Sequence, residues 1–178
     1  HHYGYDAFFT RCEQTGVDGI IVPDLPFEEK DELSEVAAAH HVDLISLIAP
    51  TSASRIRQIA ANAKGFLYLV SSMGVTGVRS EITTDLSAMI TLAKSVCPVP
   101  IAIGFGISTP TQVAKLADIA DGVIVGSAIV KIIETCGENA AEPVFTFIRS
   151  MKDAISLQPD AGSSVNSTDD SSAISTDS

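Results

Sequence analysis

Two short apolar runs, each closed by glycine, flank a helical pattern in residues 99–130, VPIAIGFGISTPTQVAKLADIADGVIVGSAIV. The runs at 100–103 and 122–125 are apolar on both faces, which is typical of parallel strands buried from both sides. Between them, Thr109 supplies a hydroxyl cap just before Pro110, an arrangement that favours a helix start. These residues therefore predict a strand–helix–strand unit in which both strands end in glycine.

The same alternation extends through most of the chain. Further apolar runs lie at 19–22, 44–48 and 66–70. Helical patterns lie at 27–40, 52–62, 85–95, 109–118 and 127–135, with a last one at 144–155. Strands and helices spaced in this way predict βαβ units with right-handed crossovers and a parallel sheet, which is an α/β fold.

Five such units are compatible with two architectures. One is a complete, doubly wound five-stranded sheet. The other is part of a (β/α)8 TIM barrel, which typically needs about 250 residues, whereas this chain has 178. The chain opens on His1-His2-Tyr3-Gly4 without a Met and runs directly into a helical pattern, which favours a sequence that begins inside a longer one, although a tag remnant would also explain the histidines.

The C-terminal tail has a different composition. From residue 156 onward it is rich in Ser, Asp and Thr, with four Asp and neither Lys nor Arg. Such a segment cannot bury enough apolar area to offset the entropy of ordering. We expect one domain over residues 1–155 and a disordered tail over 156–178.

Composition excludes several classes of function. The formal net charge is −11, from 11 Lys+Arg against 22 Asp+Glu, and an acidic surface disfavours nucleic-acid binding. No apolar run reaches the ~18 residues of a membrane span. The three cysteines, Cys12, Cys97 and Cys136, are widely spaced, which favours free thiols in a reducing cytoplasm over a disulfide or metal role.

The glycines that follow the last two strands are candidate phosphate ligands. Gly106 follows one strand, and Gly126-Ser127 follows the next and begins a helix. Glycine lets an anion approach backbone N–H groups, a helix N-terminus adds unpaired donors, and barrels often bind phosphate after their seventh and eighth strands. The alternative is that these glycines only make tight turns.

Two other connections carry candidate residues. The segment 70–80, VSSMGVTGVRS, is long and rich in Gly and Ser, so it is either a mobile lid that brings Thr76 and Gly77 to a ligand or an ordinary surface loop. Asp24 follows the first strand between two prolines. It is equally consistent with an active-site position and with a turn residue.

Four segments resemble one family. Residues 16–26, 68–77, 104–108 and 126–130 are similar, in that order and at the same spacing, to the tryptophan synthase α subunit family, and the resemblance covers about residues 3–155. It implies an incomplete TIM barrel made of about five C-terminal βα units. It also implies a cytoplasmic lyase without a cofactor, which cleaves indole-3-glycerol phosphate to indole and glyceraldehyde 3-phosphate and pairs with a β subunit in an α2β2 heterotetramer.

The resemblance also implies roles for individual residues. The phosphate ligands would be Gly77, Gly106, Gly126 and Ser127, and the indole pocket would be lined by Ile21, Tyr68, Phe105 and Ile124. Thr76 would orient a catalytic Asp, and Asp24 would lie near the interface with the β subunit and the active site.

One feature of the family has no counterpart in this sequence. The family's catalytic Glu and Asp are expected upstream of His1, so we expect this chain alone to be inactive. Another phosphate-binding barrel, such as a ribulose-phosphate epimerase or thiamine-phosphate synthase relative, and a non-catalytic five-stranded anion-binding module of flavodoxin-like type are the alternatives.

Overall fold

The computed structural model describes residues 3–26, 30–71, 81–104 and 106–156. Its strands are β1 (Gly19–Ile21), β2 (Asp43–Ile48), β3 (Leu67–Val70), β4 (Ile101–Gly104) and β5 (Gly122–Ile124). Its helices are α1 (Tyr5–Thr15), α2 (Lys30–Ala39), α3 (Ala53–Ala61), α4 (Glu81–Lys94), α5 (Pro110–Ala117), α6 (Ser127–Cys136) and α7 (Ala141–Ser156), with a 3-10 helix at Gly137–Asn139. The strands and helices predicted from periodicity are present, with ends shifted by a few residues.

Local sequence accounts for several helix starts. Thr109 and Gln112 form a capping box before Pro110 at the start of α5, in which each side chain accepts a hydrogen bond from the other's backbone N–H. The Ser52 side chain accepts from the Arg55 N–H at the start of α3. Helix α1 ends at Gly16, whose φ of 73° is in the left-handed region that closes helices.

The five strands form one parallel sheet in the order β1-β2-β3-β4-β5. Each strand therefore pairs with the next one along the chain. A flavodoxin-like sheet has the order 2-1-3-4-5, so the strand order contradicts that form of the five-stranded module.

Helices pack against one face of this sheet. Two clusters of buried residues join α1 and α2 to β1 and β2, and α3, α4, α5 and α7 to β2–β5. The strand residues in the clusters are Leu44, Ile48, Leu67, Leu69, Ile101 and Ile103. Because successive side chains of a strand point to opposite faces, the residues between them, Leu47, Tyr68, Ala102 and Gly104, belong to the other face.

A polar contact stabilises the N-terminal edge of the sheet, where β4 and β5 begin. Asp121 accepts a hydrogen bond of 2.8 Å from the Ile101 N–H and one of 2.9 Å from Lys94 Nζ. Although desolvation raises the pKa of Asp121, these two bonds outweigh it and hold the pKa below its ordinary value. This contact fixes the start of β4 relative to β5, and with it the positions at which the two strands end.

The predicted C-terminal tail lies outside the described residues except for Ser156, which ends α7. The division into a domain at 1–155 and a tail at 156–178 stays a prediction.

Candidate functional site

All five strands run parallel, so their C-terminal ends lie along one edge of the sheet. Active sites of parallel α/β folds lie at this edge. Asp24 follows β1, Ser71 follows β3, Gly106 follows β4 and Gly126 follows β5.

The ends of β4 and β5 are neighbours. Gly104 pairs with Ile124, the last residue of β5. Gly106 and Ser127 then line the same cavity of about 630 Å³. Its other lining residues are Ile107 and Ser108 after β4, Ala128, Lys131, Ile132, Thr135 and Cys136 of α6, and Pro143 and Phe147 of α7. The structure thus brings the two predicted phosphate loops to one place.

Both loops present accessible backbone. Gly106, Gly126 and Ser127 are exposed, and Gly106 has a φ of 74°, which favours glycine. The first backbone bonds of α6 run from the Ile129 and Val130 N–H groups to the Gly126 carbonyl, at 2.9 and 3.1 Å. The N–H groups that precede them have no acceptor within the helix, so they are available to an anion at its N-terminus.

The side chain of Tyr68 lies across β4, against the backbone of Gly104. A Cβ at Gly104 would overlap the hydroxyl and ring carbons of Tyr68, so a side chain at position 104 would displace the phenol. The glycine at the end of β4 therefore has a packing role that the sequence did not reveal. It allows a large aromatic side chain to lie on the helix-free face, directly beside the two loops.

Three of the four predicted pocket residues share that face. Ile21 pairs with Ile45, Tyr68 pairs with Leu47 and Ala102, and Ile124 pairs with Gly104, which places all three on the same side by the alternation of the strands. Ile21 lies at the far edge and is 42% exposed. The fourth residue, Phe105, lies outside the described residues.

The end of β3 is tied to the end of β4. The Ser71 N–H and hydroxyl both donate to the Gly104 carbonyl, at 2.9 and 3.1 Å, and Ser71 is fully buried. This anchor fixes where the 70–80 connection leaves the sheet. Thr76 and Gly77, the residues proposed for a lid, lie outside the described residues.

Asp24 is not brought to the glycine loops. It occupies an exposed turn after β1, closed by a bond of 3.3 Å from the Leu25 N–H to the Val22 carbonyl. Strands β2 and β3 lie between β1 and β4. An interfacial role and a turn role both remain compatible with this position.

Among the described residues no group of three His, Cys, Asp or Glu side chains could hold a metal ion, and no described helix has the length and apolar character of a membrane span. Cys12, Cys97 and Cys136 are free thiols.

Comparison with known proteins identifies the family. Residues 1–156 match the tryptophan synthase alpha chain family. The tryptophan synthase alpha chain of Lacticaseibacillus casei is 46% identical over 153 residues, which are 86% of this chain and 58% of that protein. The chain belongs to the tryptophan synthase alpha chain family.

Solved structures agree with the sequence match. The tryptophan synthase alpha subunit of Campylobacter jejuni superposes with a TM-score of 0.76 at 32% identity, over 84% of this chain and 60% of that one. A structure from the tryptophan synthase α2β2 complex of Pyrococcus furiosus gives a TM-score of 0.75 at 36% identity, over 85% of this chain and 62% of that one.

These matches confirm the resemblance to the family and favour it over the epimerase and thiamine-phosphate synthase alternatives. The chain spans about 60% of the length of the relatives that it matches.

Proposed function

We propose that this chain forms the phosphate-binding and indole-facing part of a lyase that cleaves indole-3-glycerol phosphate to indole and glyceraldehyde 3-phosphate. The observation that carries the proposal is the convergence of the Gly104–Gly106 and Gly126–Ser127 ends beside Tyr68 and Ile124. This arrangement offers an anion site and an apolar aromatic surface side by side. The family match supplies the reaction.

The proposed architecture is an incomplete (β/α)8 barrel made of five C-terminal units. Support comes from the sequential strand order, from the packing of the described helices on one face of the sheet, and from relatives that are longer than this chain. Exposed apolar side chains lie at both ends of the sheet, Tyr5 and Phe8 on α1 and Val130 and Phe145 on α6 and α7. In a closed barrel the additional units would cover these side chains and pair with β1 and β5.

In the proposed complex the substrate phosphate lies at the N-terminus of α6. The Gly126 and Ser127 backbone and the Gly106 loop would donate to its oxygens, and the α6 dipole would favour its charge. Gly77 would add a further N–H, and Thr76 would orient the catalytic Asp. We expect no cofactor, as the resemblance to the family implies.

The apolar part of the substrate would lie on the helix-free face. Tyr68 and Ile124 border the glycine loops there, and Phe105 and Ile21 would complete the indole pocket. Asp24 would lie near the interface with the β subunit, with which we propose an α2β2 heterotetramer. We place the complex in the cytoplasm.

The carboxylate pair is the part of the site that this chain does not supply. Cleavage needs one carboxyl group to take the proton from the glycerol hydroxyl and another to stabilise charge at the indole nitrogen while C3 is protonated. Of the residues assigned to the site, only Asp24 is a carboxylate. We therefore expect no indole release by the 178-residue chain above a buffer control, and measurable release would contradict this account.

Phosphate binding can be tested separately from cleavage. Glyceraldehyde 3-phosphate, the product that carries the phosphate, is titrated into the isotopically labelled chain and followed by amide chemical shifts in NMR spectra. The expected shifts cluster at Gly106, Gly126 and Ser127. Shifts that avoid these three amides would overturn the phosphate assignment.

Two glycine variants sharpen that experiment. Gly126→Val places a branched side chain beside the donors and is expected to weaken binding about tenfold or more, because charge-assisted hydrogen bonds are lost. Gly122→Ala is the matched control, since its Cβ would meet only the Ala102 Cβ at 3.6 Å. Equal binding by both variants would exclude the Gly126 backbone as a ligand.

A further inference from the structure

A lysine and a serine meet between α2 and β2. Lys30 begins α2, Ser46 lies within β2, and Lys30 Nζ donates to Ser46 Oγ at 2.6 Å. Ser46 is only 6% exposed, although it is polar. Because its oxygen accepts from Lys30, its own O–H remains a donor. The pair therefore holds a nitrogen atom and a hydroxyl proton within one hydrogen bond of each other.

Both side chains line a small cavity of about 200 Å³. Its other lining residues are Val22, Pro23, Leu25 and Pro26 after β1, Leu44, Ile45 and Leu47 of β2, and Arg55 and Ile59 of α3. Arg55 already has an interaction partner, and the remaining walls are apolar, so the cavity favours an uncharged molecule over an ion. Pockets for drug-sized ligands occupy about 300–1,000 Å³, so this cavity suits only a small one.

Lys30 also lines a second cavity, which contains its charged neighbours. Asp31 and Lys64 both line this second cavity. Burial lowers the pKa of Lys30, the charge of Lys64 lowers it further, and Asp31 opposes these effects only in part. A larger fraction of Lys30 is therefore uncharged at a given pH than of a fully solvated lysine, and only the uncharged amine is a nucleophile.

We propose that Lys30 is a modification site for short, uncharged aldehydes, which condense with its amine to form an imine while the Ser46 hydroxyl transfers the protons. The apolar walls of the smaller cavity would hold the alkyl group of the aldehyde. The hydrogen bond to Ser46 uses an N–H of the amine and leaves the nitrogen lone pair free to attack the carbonyl carbon.

The proton transfers balance through a single hydroxyl group. When the C–N bond forms, the carbonyl oxygen takes the Ser46 proton, and the nitrogen returns a proton to Ser46 Oγ. The resulting carbinolamine then loses its hydroxyl group as water by a second transfer of the same kind, which leaves a C=N bond. Ser46 ends unchanged, and neither an oxidant nor a reductant is consumed.

This site is separate from the proposed phosphate site. It lies at β2, whereas the glycine loops follow β4 and β5, and β3 lies between β2 and β4. Imine formation at Lys30 needs neither the phosphate loops nor a pair of carboxylates. The two proposals can therefore fail independently.

Reductive trapping tests the proposal. The 178-residue chain is treated with acetaldehyde and sodium cyanoborohydride, whose hydride converts an imine into a stable N-ethyl amine, and the ethylated lysines are located by proteolysis and mass spectrometry. Lys30 is expected to react about tenfold or more faster than Lys115, an exposed lysine on α5 that serves as the internal control. Equal or slower ethylation of Lys30 would overturn the proposal.

Variants test the role of the hydroxyl. Ser46→Ala is expected to slow the ethylation of Lys30 about tenfold or more and to leave that of Lys115 unchanged, whereas Ser46→Thr keeps a hydroxyl and should restore the rate. Ser34→Ala, which removes a hydroxyl one turn from Lys30 on α2, is the matched control and should leave both rates unchanged. An undiminished rate at Lys30 in the Ser46→Ala variant, or an equal loss in Ser34→Ala, would refute the assignment. The comparison of Lys30 with Lys115 in the wild-type chain decides the proposal even where a variant does not fold.

Discussion

The two faces of the sheet differ although they are built from the same strands. On the helix-covered face Leu67, Leu69, Ile101 and Ile103 are fully buried. On the opposite face Tyr68 is half-buried and Ile21 is 42% exposed. The first face contributes most of the burial that stabilises the chain. The second carries the predicted pocket and is covered only in part by the described residues, since Ile45 is buried there whereas Ile21 is exposed.

The largest expected effect concerns the uncovered face. At ~25 cal/mol per Å2, a few hundred Å2 of exposed apolar surface represents several kcal/mol, and open edge strands invite pairing. We expect the chain to self-associate, and we expect the double substitution Ile21→Glu and Leu47→Glu to shift it towards a monomer. Size-exclusion chromatography with light scattering measures the molar mass of the wild-type chain and of the double variant.

Gln58→Glu, at an exposed position on α3, is the control for the added charge. A wild-type monomer with one sharp unfolding transition would contradict the incomplete-barrel account and favour an autonomous module.

A core substitution tests the covered face. Leu69→Ala removes a fully buried side chain, and such substitutions cost about 2–5 kcal/mol because of lost burial and the cavity that remains. Leu47→Ala, on the half-buried opposite face of the neighbouring strand, should cost about 1 kcal/mol or less. The free energies of unfolding come from urea denaturation, and equal costs would refute the distinction between the faces.

A third substitution probes contact between two strands on the uncovered face. Gly104→Ala would force a Cβ against the Tyr68 ring, and overpacking of this kind costs roughly 1–3 kcal/mol. In a Tyr68→Leu background the same substitution should cost much less, so the two changes should be strongly non-additive. Additive costs in a double-mutant cycle would show that the ring moves away freely.

The smallest expected effect on stability comes from a polar contact between α1 and the residue that follows α2, away from the two faces of the sheet. His40, which follows α2, lies 3.2 Å from Glu13 and 3.1 Å from Asp6 of α1 through its two ring nitrogens. Hydrogen bonds to Asp6 and Glu13 raise the pKa of His40 above its ordinary value. The contribution of protonated His40 to the free energy of unfolding is therefore fully present below the pKa of histidine in the unfolded chain. It is lost as the pH rises through the higher pKa of His40 in the folded chain.

His40→Gln should weaken this dependence of unfolding free energy on pH between about 6 and 8, the range in which histidine titrates. His41→Asn is the matched control, because His41 is exposed, has a φ of 58° that Asn tolerates, and makes no described side-chain contact. An unchanged pH profile in the His40 variant would exclude this contact as a link between α1 and α2.

Much of the fold could be predicted from local pattern. The apolar runs predicted all five strands, and the Thr109-Pro110 pair predicted the start of α5. The glycine-ended runs predicted one shared site after β4 and β5, and the ends of these two strands are neighbours in the sheet. Periodicity could not choose between a doubly wound sheet and a sequential one, because strand order depends on contacts between distant segments.

The sequence by itself determined the elements, the glycine-ended strands and the family, because these depend on neighbouring residues and on motifs read in order. Only the tertiary structure decided which face the helices cover, that Tyr68 lies against Gly104, and that Lys30 meets Ser46 beneath the Asp24 loop. The residues of these pairs lie 36 and 16 positions apart, that is 104 − 68 and 46 − 30. Their contact arises from the pairing of β3 with β4 and from the packing of α2 on β2, neither of which is written in any local stretch of the chain.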